Sequence, residues 1–154
     1  MNRDELSALL GTVHGLVPQT LEGVTDEQFV AIPDGFNNNI LWNVGHITHV
    51  MSSLCYRPAG LDAIVPDFYN EAYKNGSSPA DWSETPSIEE AKSTLAAAGG
   101  RVQEDLKSGA MDNFNAFELF PGFKIESADQ ALAFNAFHLG IHIGMIMNLK
   151  KIVG

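Results

Sequence analysis

The run Phe137-His138-Leu139-Gly140-Ile141-His142 lies inside a long apolar stretch that begins after Ser127-Ala128-Asp129-Gln130 and ends near Ile152. Ser127 followed three residues later by Gln130 has the pattern of a capping box, and Lys150-Lys151 sit where basic residues favour a helix C-terminus. The stretch therefore predicts one long helix. Its apolar stripe is read as Ala131, Phe134, His138, Ile141, His142, Met145 and Leu149, which turns both histidines toward the interior. Residues at i and i+4 share a helix face, with Cβ atoms about 5–6 Å apart. Two imidazoles so placed can hold one metal ion from the same side. The same pattern is met by two core histidines satisfied by hydrogen bonds.

A second strongly apolar helical stretch carries another histidine, in Ile40-Leu41-Trp42-Asn43-Val44-Gly45-His46-Ile47. Asn37-Asn38-Asn39 offers N-caps for a helix from about Ile40 to Tyr56. If this helix packs on the last one, three neutral imidazoles converge and leave coordination positions open, as in a reactive rather than a closed site. No glutamate follows His138, which excludes a His-Glu-x-x-His peptidase. Gly140 and Gly144 beside His142 leave room for a neighbouring helix or ligand. His49, three residues after His46, is a weaker candidate, for proton transfer at the mouth of the site. His14, Cys55 and Trp42 are read as structural, and Glu118 as a residue near a turn that could reach the site.

Working outward, Arg3 to Glu22 has leucines and valines at helical spacing and predicts a helix bent near Pro18; Gly11 and Gly15 could admit a neighbour. Thr25-Asp26-Glu27-Gln28 opens one short turn. Ser87-Ile88-Glu89-Glu90 starts a helix that runs to about Lys107 and is interrupted at Gly99-Gly100. Between Leu61 and Pro86 lies a long connection with short helical segments around Pro66 to Lys74. Phe114, Phe117, Phe120 and Phe123 flank Pro121-Gly122, a hairpin-like turn whose aromatic cluster packs in the core or lines an interface. The expected fold is all-α, a four-helix bundle with a long crossover between its second and third helices and a short hairpin before the fourth.

The 154 residues suit one domain over residues 1–154, and 45% hydrophobic residues suit a folded core. The formal charge of -10, from 19 acidic and 9 basic residues, argues against nucleic acid or anionic membranes as partners. A single cysteine excludes an intrachain disulfide. The charged N-terminus lacks a signal core, and no uninterrupted apolar run approaches the roughly 20 residues of a membrane span. A cytoplasmic protein is expected.

Three segments together resemble the DinB-like superfamily, the damage-inducible four-helix bundles. They are Trp42-Asn43-Val44-Gly45-His46, the closing His138-Leu139-Gly140-Ile141-His142-Ile143-Gly144-Met145-Ile146, and the loop from Pro66-Asp67-Phe68-Tyr69 to Lys74-Asn75-Gly76-Ser77. The resemblance implies a three-histidine metal site at His46, His138 and His142. It implies nickel, zinc or an iron-like ion, and often a homodimer. Characterised relatives are similar to thiol-dependent enzymes, among them mycothiol-dependent maleylpyruvate isomerase and bacillithiol or glutathione transferase-like proteins. By that analogy the chain is a metal-dependent transferase that joins a low-molecular-weight thiol to an electrophilic small molecule. The alternatives are a metal-assisted hydrolase and a non-catalytic bundle that binds a partner or an apolar ligand.

Overall fold

The structure, a computed structural model, describes residues 1–154. It is mostly helical with one small sheet. The elements are α1 (Arg3–Leu21), α2 (Asp26–Val30), α3 (Ile40–Met51), α4 (Tyr69–Ala72), α5 (Ile88–Ser108), β1 (Phe117–Phe120), β2 (Phe123–Ile125) and α6 (Ala128–Ile152). The helix starts are chemically specified. Asn2 and Thr25 form reciprocal capping boxes with Glu5 and Gln28. Asn39, Ser87 and Ser127 each accept a hydrogen bond from the backbone N–H three residues on. At α6 the box is not reciprocal, because Gln130 Oε1 accepts from Glu126 N instead.

The helix predicted from Ile40 to Tyr56 changes character at its end. The α-helix stops at Met51, and Ser52–Tyr56 form a π-helical turn closed by the Arg57 N–H donating to Ser52 O. The wider turn keeps Cys55 and Tyr56 fully buried. α5 runs through Gly99-Gly100 without interruption. Gly99 is instead a close crossing, where the absent side chain makes room for the His14 ring of α1. Gly11 likewise admits the Gln103 side chain, whereas Gly15 faces open space.

α1 and α3 each pack against both α5 and α6. Two buried clusters fill the space between them. One gathers Leu10, Met51, Val102, Leu132 and their neighbours. The other gathers Val17, Ile40, Val44, Leu95, Ile143 and Leu149. Burying such side chains contributes about 1.5–3 kcal/mol each. Arg3 bridges Asp112 and Asp129 at 2.7 and 3.0 Å, fastening the start of α1 to α6. At the other end, Lys150 does not serve its own helix. It donates to the Thr20 and Glu22 carbonyls and so caps α1, whose last turn has no basic residue.

α6 departs from its expected stripe. Its buried residues are Ala128, Ala131, Leu132, Asn135, Ala136, Leu139, Ile143, Ile146 and Leu149. Ile141 and Met145, read as interior, are exposed, as are Phe137 and Met147. The helix is apolar on nearly all sides, so periodicity does not single out the core face. Gly140 and Gly144 face open space and admit no neighbour. By length and composition α6 could cross a bilayer, yet here it lies against α1 and α3.

The sheet is an antiparallel hairpin in which Phe117 pairs with Ile125 and Phe120 with Phe123, turning at Gly122 with φ 80°. Its aromatic residues split into two groups. Phe114 contacts Phe117, while the exposed Phe120 and Phe123 meet Phe134 of α6. Glu118 does not reach any site; its carboxylate accepts from Gly122 N within the turn.

Candidate metal centre

α3 and α6 pack together and bring His46, His138 and His142 to one point. Ring centroids are 5.2 Å apart for His46 and His138, 4.8 Å for His46 and His142, and 4.5 Å for His138 and His142. His46 is buried. His138 and His142 are half-buried on the flank of the α6 core stripe rather than at its centre, so the group lies between core and surface.

The hydrogen bonds around two of the rings leave one consistent proton arrangement. His46 Nδ1 is 2.7 Å from the Tyr73 backbone oxygen, which can only accept, so His46 carries its proton on Nδ1 and a lone pair on Nε2. His142 Nδ1 is 2.7 Å from Asn43 Oδ1. The Asn43 amide is oriented in turn by its Nδ2, which donates at 2.7 Å to the Asn39 backbone oxygen. Asn43 therefore presents its oxygen to His142, and His142 too is protonated on Nδ1 with Nε2 free. His142 Nε2 faces His138 Nε2 at 3.1 Å, while His138 Nδ1 is buried without a protein partner.

This donor set fits a transition-metal ion. The three ligand nitrogens lie within 4.8 Å of one another. Ligand nitrogens bound at about 2.0–2.1 Å in a tetrahedral site stand roughly 3.3 Å apart, so a modest side-chain movement closes the set. The 3.1 Å approach of His138 and His142 is already at that spacing. Burial depresses all three imidazoles, only partly opposed at His46 by the Tyr73 carbonyl. His138 is lowered to about 4 by burial and by His46. His142 is lowered to about 3 by burial, His138 and His46. All three are neutral at pH 7; His46 and His142 offer their Nε2 lone pairs, while His138, whose Nε2–H donates to His142 Nε2, would offer its own once that proton moves to Nδ1.

Trp42 stacks on His46 with ring centroids 4.4 Å apart and planes 14° from parallel. It is thus a wall of the site and not only core. Its Nε1 donates to Ser77 Oγ at 2.9 Å, and Trp82 Nε1 donates to the Ala72 carbonyl. The long connection between α3 and α5 therefore builds one side of the site. His49 is not part of the convergence. It is buried rather than exposed at a mouth, its Nδ1 has no protein partner, and burial, His46 and Arg57 depress it. Cys55 is fully buried and its thiol is pushed far up by burial, which makes it inert. His14 has no partner for either nitrogen and borders a cavity of about 620 Å³ between α1 and α5, which none of the three converging histidines lines.

Two partners were not singled out in the sequence. Asn43 lies inside the quoted stretch but reads as one polar residue among apolar ones. Tyr73 contributes a backbone carbonyl, which has no residue-type signature. Asn135, one turn before His138, is fully buried with neither amide atom partnered by protein, and nothing in its spacing marks it.

Residues 9–146 match the model of the DinB superfamily, and the chain belongs to that superfamily. No curated protein matches the chain.

Proposed function

We propose that the chain is a metal-dependent enzyme that transfers or rearranges groups with the help of a low-molecular-weight thiol. His46, His138 and His142 are the ligands, and the four long helices are the bundle that holds them. The carrying observation is the neutrality of the ligand surroundings. Three uncharged imidazoles converge, and the groups that orient two of them are the Tyr73 carbonyl and the Asn43 amide, not carboxylates. A divalent nickel, zinc or iron-like ion held there acts as a Lewis acid with its charge undiminished by protein anions and favours an anionic partner such as a thiolate. The chain's own thiol, Cys55, is buried and unreactive, so the sulfur comes from a free small molecule.

A metal-assisted hydrolase is the weaker reading. It calls for a titrating acid or base beside the ligands, and the two groups hydrogen-bonded to them do not titrate. Nucleic acid is not the proposed substrate, given the charge of -10.

The test is titration of cobalt- or nickel-loaded protein with glutathione, bacillithiol and mycothiol. A thiolate-to-metal absorption band that appears with one thiol and is lost in His138→Ala supports the proposal. No spectral change with any of the three ends it.

A further inference from the structure

We propose that Asn43 is a positioning residue that fixes the tautomer of His142, through a short relay anchored on the Asn39 backbone carbonyl. The N-cap residue Asn39 is itself held in place, its Nδ2 donating to the Val30 carbonyl at 3.0 Å. A carbonyl cannot donate, so the other face of the Asn39 amide is oxygen, and it caps α3 by accepting from Trp42 N at 2.8 Å. The Asn39 backbone oxygen then accepts from Asn43 Nδ2 at 2.7 Å. Asn43 Oδ1 is left facing His142 Nδ1, also at 2.7 Å. The Asn39 backbone oxygen can only accept, so it dictates the orientation of the Asn43 amide, and that orientation places a proton on Nδ1 of His142.

Asn39 and Asn43 are both about 1% exposed, so bulk water does not compete for these groups. A neutral imidazole in water prefers its proton on Nε2, the nitrogen that here faces His46 and His138. The relay reverses that preference before any ligand arrives. It runs from the N-cap of α3 to α6, so the ring of the α6 ligand is oriented from the first turn of α3. A carboxylate in place of Asn43 would orient the ring equally well but would add negative charge to the site. The amide orients without charging.

The tautomer part of this inference stands without metal; the affinity part rests on the proposed metal reading. The test uses the full chain with labelled histidine, and long-range proton–nitrogen correlation spectra of the metal-free protein at pH 7.5. In the wild type, His142 shows a protonated Nδ1 and an unprotonated Nε2. Asn43→Ala shifts it to a mixture or to the Nε2–H form. Asn43→Asp, which keeps an acceptor, preserves Nδ1–H. Leu95→Ala, a core truncation in α5, loosens the bundle without moving the tautomer. Competition of nickel and zinc against a chromophoric chelator then reads affinity. Asn43→Ala is expected to bind about 10–100-fold more weakly, and Asn43→Asp within a few-fold of wild type or more tightly.

A wild-type His142 protonated on Nε2 overturns the proposal, as does an Asn43→Ala variant with unchanged tautomer and unchanged affinity. Wild-type protein that binds neither metal overturns the metal reading alone, while the tautomer result still decides the role of Asn43. Should Asn43→Ala fail to fold, the wild-type and Asn43→Asp spectra decide it.

Discussion

The Tyr73 ring occupies the space that a side chain at Gly45 would fill, so a methyl group there overlaps the ring directly. Tyr73 is fully buried, and its carbonyl is the group that orients His46. The glycine preceding His46 is therefore part of the site, although it touches no ligand atom. It lets the α3–α5 connection close onto α3 and deliver a carbonyl to the adjacent residue.

Gly45→Ala is expected to push Tyr73 away and remove the hydrogen bond to His46. Overpacking of this kind costs about 1–3 kcal/mol, and loss of a group that orients a ligand weakens metal binding about 10-fold or more. Urea unfolding and nickel titration read the two effects. A variant with wild-type affinity would show that the Tyr73 carbonyl is dispensable.

The stability of the metal-free protein should fall as pH drops below neutrality. All five histidines are depressed in the folded state, chiefly by burial. Below about 6.5 the unfolded chain takes up protons that the folded chain refuses, so acid favours unfolding. The contribution is complete above about pH 6.5 and is lost as pH falls toward about 4 for His138 and about 3 for His142. Urea midpoints at pH 7.5 and 5.0 measure it. The double variant His138→Ala, His142→Ala should show a shallower decline; an equal decline would remove these two residues as its source.

Trp42 should report occupancy. The chain has two tryptophans, and only Trp42 stacks on a candidate ligand. Nickel or copper at the histidines is expected to quench its emission, with a midpoint equal to that from chelator competition. Trp42→Phe should abolish the metal-dependent part and leave the Trp82 signal. Quenching that persists in Trp42→Phe would place the metal elsewhere.

Cys55 should be silent toward a thiol reagent in the native protein and react once on unfolding, because it is fully buried and burial disfavours its thiolate. Rapid labelling of folded protein would contradict the burial of Cys55 and remove the argument that the proposed thiol comes from outside the chain.

Much of the fold is written in local chemistry. Asn39, Ser87, Ser127 and Thr25 mark helix starts because capping needs specific side chains at specific positions. The i, i+4 histidines and the Trp-x-x-Gly-His stretch mark the site for a similar reason. Where the reading failed, the information was not local. The core face of α6 is ambiguous because Phe137, Ile141 and Met145 are as apolar as the residues that are buried; packing alone selects among them. The burial of His49 depends on which elements cover α3. Lys150 caps α1 rather than α6, a choice made by tertiary proximity. Tyr73 acts through its main chain, and Asn43 through a contact that exists only after α3 and α6 have met.

His46 and His138 are supplied by helices separated by most of the chain. An ion gripping both is a staple between an early segment and the closing one. It would bind the folded chain far better than the unfolded one, and so raise the melting temperature in step with the logarithm of its free concentration. It would also quiet the breathing of α6 against α3, so amide exchange along α6 should slow most near His138 and His142. The protein's rigidity would then vary with the supply of the ion around it.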